Sequence, residues 1–179
     1  WWKIDPVSKK FESGRLDDAT GKVFRAFPSI AVNRHDDVLL GYARFSATTY
    51  ASGAYAFRYG RDTAGAFQKE VIYRPGKATY NKSGGGRTRW GDYSATVVDP
   101  VDDINLWTIQ EYANTTNRWG TWWAGLNLRP VKAGGACTKH TECGSDFCVD
   151  GVCCDSACGD GVAGDCQACS VKAGAATDG

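Results

Sequence analysis

The chain has 179 residues, 42% hydrophobic and 12% aromatic, with 21 basic side chains against 20 acidic ones. Charge so nearly balanced gives no electrostatic basis for a nucleic-acid partner, and no apolar run reaches the roughly 20 residues of a membrane-spanning helix. All eight cysteines fall between residues 137 and 169, so a long cysteine-free segment precedes a short cysteine-dense one. That asymmetry predicts residues 1–130 as one domain, 131–136 as a linker and 137–179 as a disulfide-rich module. Disulfide frameworks persist in oxidising compartments, so the expected location is extracellular or at the cell surface. With no methionine and an opening WWKIDP, as if in mid-strand, the chain reads as an internal or processed piece of a longer secreted protein.

In chain order, Trp1 to Ile4 is a short apolar strand, and FESGRLDDATGKVF continues as a Gly- and Asp-rich loop. From Phe27 the strand signals come quickly. SIAVN, VLLGYARFS, SGAYAFRYG and FQKEVIYRPG, separated by short turns, predict an antiparallel four-stranded meander. After KSGGGRTR the order restarts with YSATVV, INLWTIQEYA and RWGTWWAGLNL. Val32 aligns with Val98, Asn33 with Asp99, Asp36 and Asp37 with Asp102 and Asp103, Val38 with Ile104 and Phe45 with Tyr112, an offset of about 66 residues. Repeated antiparallel four-stranded units with little helical periodicity make the expected fold all-β, and favour part of a β-propeller over a sandwich. About 130 residues supply two to three blades, short of the four to eight of a closed ring, so the remaining blades are expected from a longer chain or another subunit.

Arg87, Arg89, Asp92, Glu111 and Tyr112 are the catalytic candidates, because a Tyr–Glu pair can make a nucleophile and arginine can clamp a carboxylate-bearing sugar. Glu111, however, shares a strand face with Trp107 and Ile109. A carboxylate there needs a buried partner, Arg89 or Arg44, and structural pairing is favoured over catalysis. Trp90, Tyr93, Trp119 and Trp122 are the ligand-binding candidates, since aromatic faces stack on sugar rings; packing between blades is the competing use. Trp122 and Trp123, adjacent on a strand, must point to opposite faces. Asp99, Asp102 and Asp103, like Asn33, Asp36 and Asp37 in the first repeat, offer oxygen ligands for calcium, although such residues also cap hairpin turns. No other cofactor is expected. Cys137, Cys143, Cys148, Cys153, Cys154, Cys158, Cys166 and Cys169 are expected in four disulfides, with Cys153 and Cys154 bonded to different partners, in preference to a zinc site using Cys166 and Cys169.

GRTRWGDYSATVVDPVDDINLWTIQEYA followed by WGTWWAGL resembles a recurrent signature of large secreted bacterial proteins of the sialidase-like or BNR-like β-propeller type, over residues 27–128. The resemblance implies an extracellular propeller, often of unassigned activity. CTKHTECGSDFCVDGVCCDSACGDGVAGDCQACSV is similar to the cysteine-rich modules appended to secreted and surface proteins of myxobacteria, which implies a surface or stalk module. The sialidase Asp-box, S-x-D-x-G-x-x-W, is missing: the nearest string, GRDTAGAF, lacks its Ser and Trp. The expected function is extracellular recognition or surface structure, with glycan the favoured ligand and a surface protein the other partner considered. The alternatives are a glycoside hydrolase of sialidase-like architecture completed by other blades, and a subunit of an extracellular assembly.

Overall fold

Runs of β-branched and aromatic residues broken by Asp, Gly and Pro favour strands throughout this chain. The computed structural model describes residues 1–84, 86–128, 131–138, 140–156 and 172. Among the described residues, every regular element is a strand except one turn of 3₁₀ helix, His140–Glu142. No helix among them is long and apolar enough to cross a membrane. The chain divides into two units, Trp1–Asn127 and Leu128–Gly179.

The first unit opens with a hairpin of β1 (Trp2–Ile4) and β2 (Phe11–Ser13). The FES segment, expected as loop, is therefore a strand, supported by the ladder to Trp2–Ile4. Next, β3 (Val23–Val32), β4 (Val38–Ser46), β5 (Thr49–Arg58) and β6 (Val71–Arg74) pair in sequence order as an antiparallel sheet, the predicted meander. β3 starts before Phe27 and bulges between Ala26 and Ser29, where Phe27 takes a φ of 55°. A two-residue hairpin, β7 (Ser83–Gly84) with β8 (Arg87–Thr88), leads into a second antiparallel sheet of β9 (Ala95–Val98), β10 (Leu106–Thr115) and β11 (Arg118–Leu126). This sheet has three strands rather than the four expected of each repeat.

The repeat survives in three dimensions with its register corrected. Val32 pairs with Val38 and Val98 with Leu106, so Val38 corresponds to Leu106 rather than Ile104. The second turn is simply longer. Asn33 Oδ1 accepts the His35 amide at 2.9 Å and Asp99 Oδ1 the Val101 amide at 3.0 Å. Asp36 and Asp103 both take the left-handed conformation, at φ 62° and 57°.

The two sheets stack, β10 crossing β4 and β5 while β9 crosses β3. Gly41 and Gly53 present bare backbone to this seam: a Cβ on Gly41 would overlap Thr108 Oγ1, and one on Gly53 would lie 3.5 Å from Gln110 Cβ. The buried seam is polar. Thr96 and Thr108 share a hydroxyl hydrogen bond of 2.9 Å, Gln110 Nε2 donates to Thr108 Oγ1 at 3.1 Å, and Thr108 donates to the Ala95 carbonyl at 3.1 Å. Arg74 of β6 also joins the sheets, its guanidinium 3.7 Å from the Trp122 ring centre and 4.6 Å from that of Tyr112. On its other face the first sheet buries Tyr42, Ala54 and Ala56 against Leu16, Leu40 and Phe67.

In the second unit, Cys137–Cys148 and Cys143–Cys153 form disulfides around the hairpin of β12 (Phe147–Val149) and β13 (Val152–Cys154). Cys154 is disulfide-bonded as well, so vicinal Cys153 and Cys154 do go to different partners. Cys158, Cys166 and Cys169 lie outside the described residues, as does the CxxC of the zinc alternative. The sulfurs of Cys137, Cys143 and Cys153 lie within 4.8 Å of one another, but each is already oxidised, and a disulfide sulfur is not the thiolate a metal requires. Replacing Cys143 and Cys153 together by serine is expected to destabilise this unit by about 2–4 kcal/mol. Denaturant unfolding compared with the parent protein measures this, and a difference below about 1 kcal/mol would contradict the bridge's role.

Candidate functional site

The loop between β8 and β9 is held on β10 by one carboxylate. Gly91 takes a φ of 94°, a conformation an L side chain resists, and there a Cβ would also overlap the Phe27 ring. In this conformation the Gly91 amide donates to Glu111 Oε2 at 2.8 Å and the Tyr93 amide to Glu111 Oε1 at 3.1 Å. Glu111 is 3% exposed. Its negative charge is therefore balanced by two backbone dipoles, not by an arginine. The expected pairing with Arg89 or Arg44 is corrected: Arg89 reaches Asp92 at 3.4 Å, and Arg44 belongs to another cluster.

Pinning the loop sets its aromatic side chains. The Trp90 ring meets Tyr80 edge to face, centres 5.0 Å apart at 73°, while Tyr93 stacks on Trp119 at 4.9 Å and 24°. Between these pairs runs a groove of ≈ 370 Å³ with Arg89, Asp92 and Lys82 at its margin. Six sequence-predicted residues thus come together: Arg89, Trp90, Asp92, Tyr93, Glu111 and Trp119. Tyr93 and Trp119 are about half exposed, and neither the Tyr93 hydroxyl nor the Trp90 and Trp119 indole N–H groups take a hydrogen bond among the described residues.

Two predicted residues point elsewhere. Tyr112 follows Glu111 on β10 and so occupies the opposite face, where its hydroxyl accepts from Arg74 at 3.1 Å. The Tyr–Glu nucleophile pair is therefore not formed by these two residues. Trp122 alternates with Trp123 in the same way and lies beneath Arg74, whereas Trp123 is 60% exposed on the outer face. The acidic turns act on their own backbone. Asp102 Oδ1 accepts the Ile104 and Asn105 amides, both at 2.9 Å, which holds its carboxyl below the usual range, and Asp99 Oδ2 accepts the Trp107 indole at 3.1 Å. Asp103 is exposed at the turn's left-handed position.

A second polar cluster, on the far face of the first sheet, has no local signature in the sequence. Glu70 accepts Arg25 Nε at 2.8 Å, the Tyr42 hydroxyl at 2.6 Å and Arg44 Nε at 2.7 Å. Here a tyrosine does meet a glutamate between arginines. Burial and then the Glu70 carboxylate push the Tyr42 phenol far above its ordinary pKa, so it stays protonated and serves as a donor, not a nucleophile. Only its residue types hinted at this cluster, since Arg25 and Glu70 stand 45 positions apart.

Glu111→Gln is expected to cost about 2 kcal/mol, because the amide retains one acceptor and turns an NH₂ group against a backbone N–H. Hydrogen exchange reads the effect locally: the Gly91 and Tyr93 amides should exchange faster in the variant, and unchanged protection would contradict the pin.

Fold and groove together define an all-β, disulfide-bearing protein with an aromatic-lined cleft on its N-terminal unit. Compared with family models, curated proteins and solved structures, the chain matches none.

Proposed function

We propose that this is an extracellular recognition module in which the groove between Trp90, Tyr93 and Trp119 binds glycan. The observation that carries the reading is the solvent-facing Tyr93–Trp119 stack beside unengaged indole N–H and phenol groups, an arrangement that offers a sugar both ring faces and hydrogen-bond donors. The disulfides are compatible with an oxidising, secreted setting. Trp119→Ala is expected to lower affinity for a bound saccharide about tenfold or more, and Trp119→Phe, which keeps a ring stacked on Tyr93, to lower it less. Equal binding by the alanine variant on a glycan array would remove the groove from consideration.

The architecture we propose is a sialidase-like propeller segment, the two sheets being successive blades. Each uses the same strand order, and they stack head to tail: the Gly41 face of the first meets the Thr108 face of the second. The second sheet's outer face corresponds to the Gly41 face of the first, and a third sheet, from a longer chain or another subunit, would dock over its Val97–Trp107–Trp123 end, away from Trp119 and the groove. The cysteine-rich unit then reads as an appended surface or stalk module.

A further inference from the structure

Beside the groove lies a larger one, of ≈ 770 Å³, walled by Phe27, Phe45, Tyr50, Tyr80 and Trp90. Tyr80 and Trp90 line both, so their edge-to-face pair is a shared partition and not the end of the site. The chemistry on the two sides differs. Lys82, Arg89, Asp92 and Glu111 line the smaller groove, whereas among the described residues no charged side chain lines the larger one, whose polar groups are hydroxyls such as those of Thr49 and Thr79. The hydroxyls of Thr49, Tyr50, Thr79 and Tyr80 take no hydrogen bond among the described residues. A wall of aromatic faces and neutral hydroxyls suits a neutral polyhydroxylated chain, while a charged or wholly apolar ligand would leave either its charge or these hydroxyls unmatched.

The wall is also built at a cost. Phe27, a bulky residue, is held at φ 55°, where few side chains are found, and its ring lies against the backbone of Gly91. Gly91 is also the residue whose amide anchors the loop to Glu111. One contact therefore links the strained bulge of β3 in the larger groove to the loop that shapes the smaller one.

We infer that the ligand is a linear oligosaccharide of several units, one end in the Trp90–Tyr93–Trp119 groove and neutral sugar rings continuing across the Tyr80–Trp90 partition into the larger groove. This rests on the glycan reading above. A volume of ≈ 770 Å³ lies in the range of about 300–1,000 Å³ that accommodates ligands larger than one sugar ring. Tyr50, half exposed, supplies the outer stacking face, and Thr48, exposed in the β4–β5 turn, stands at the rim.

The test uses the full chain against cello-, chito-, malto- and xylo-oligosaccharides of graded length from the monosaccharide upward, with the Tyr50→Ala, Thr48→Trp and Trp119→Ala variants, each checked to be folded at the assay temperature. Affinity for the recognised series should rise about tenfold or more between one unit and four, as successive rings find aromatic faces. Tyr50→Ala and Thr48→Trp should flatten that rise without changing monosaccharide binding, and Trp119→Ala should weaken every length. Affinity independent of length, abolished by Trp119→Ala and untouched by the other two variants, would overturn the extended ligand while leaving the glycan groove in place. Failure of all four series at every length would overturn both. Thr48→Trp adds bulk at an exposed turn without removing a packed group, so it serves if Tyr50→Ala unfolds.

Discussion

Gly41→Ala is expected to destabilise the first unit by about 3 kcal/mol, at the upper end of the usual cost of overpacking. The new methyl group would overlap Thr108 Oγ1 and come within 2.5 Å of Gln110 Nε2 and 2.9 Å of Thr96 Oγ1. Thr108 Oγ1 can move only by turning the stiff χ1 of a β-branched side chain, which would itself break its hydrogen bonds to Thr96 and Gln110. Relief by that rotation or by separating β4 from β10 breaks the Thr96–Thr108–Gln110 hydrogen bonds and leaves buried polar atoms unsatisfied. Denaturant unfolding followed by tryptophan fluorescence gives the loss. The cause is checked by adding Thr108→Ala: if overlap dominates, the double variant should be less destabilised than the two single losses combined. A single-variant cost under about 0.5 kcal/mol would mean that the sheets do not meet at this glycine.

Removing Glu70 is the second large effect expected, about 2–3 kcal/mol for Glu70→Ala. Arg25 and Arg44 would keep their charges in a site where side chains are only 16–17% exposed, and the Tyr42 hydroxyl would lose its acceptor. The figure lies below that for a fully buried pair because some water still reaches these groups. The same cluster makes stability depend on pH. Burial acts to raise the Glu70 pKa, but hydrogen bonds from Arg25, Tyr42 and Arg44 outweigh it, and the carboxyl ends below its ordinary value. A pKa depressed by folding contributes stability that is complete above the unfolded-state value, about 4.3 for glutamate, and drains away as pH falls through the lower folded-state value. Unfolding free energies of the parent protein and Glu70→Gln, compared between neutral and acid pH, should converge on the acid side. A gap that stays constant would remove Glu70 from the acid transition.

Both effects depend on residues whose importance could not be read locally. In VLLGYARFS, Gly41 looks like an interruption to a strand, yet it is the point where a second sheet passes close to the backbone. Glu70 stands in FQKEVIYRPG without a marked neighbour, and the meander brings Arg25, Tyr42 and Arg44 to it. At the groove more is legible locally. The RWGDYS string carried Arg89, Trp90, Asp92 and Tyr93 together because they are neighbours in sequence, and Glu111 and Trp119 joined them through adjacent strands. Tyr112 and Trp122 lie on the opposite face, because proximity along a strand says nothing of face until the covered side is known.

From the sequence alone came the features that depend on a few neighbouring positions: strands, Asp- and Asn-capped turns, the repeat of strand order, and cysteines dense enough to require bridges. Backbone geometry and covalent chemistry act over that range, so those features were legible before any fold. Tertiary structure alone decided that backbone amides, not an arginine, satisfy Glu111, that Arg74 lies between Tyr112 and Trp122, and that the two grooves share one aromatic wall. Those outcomes depend on which segments pack across a sheet face, a competition among distant parts of the chain that no short stretch of residues contains.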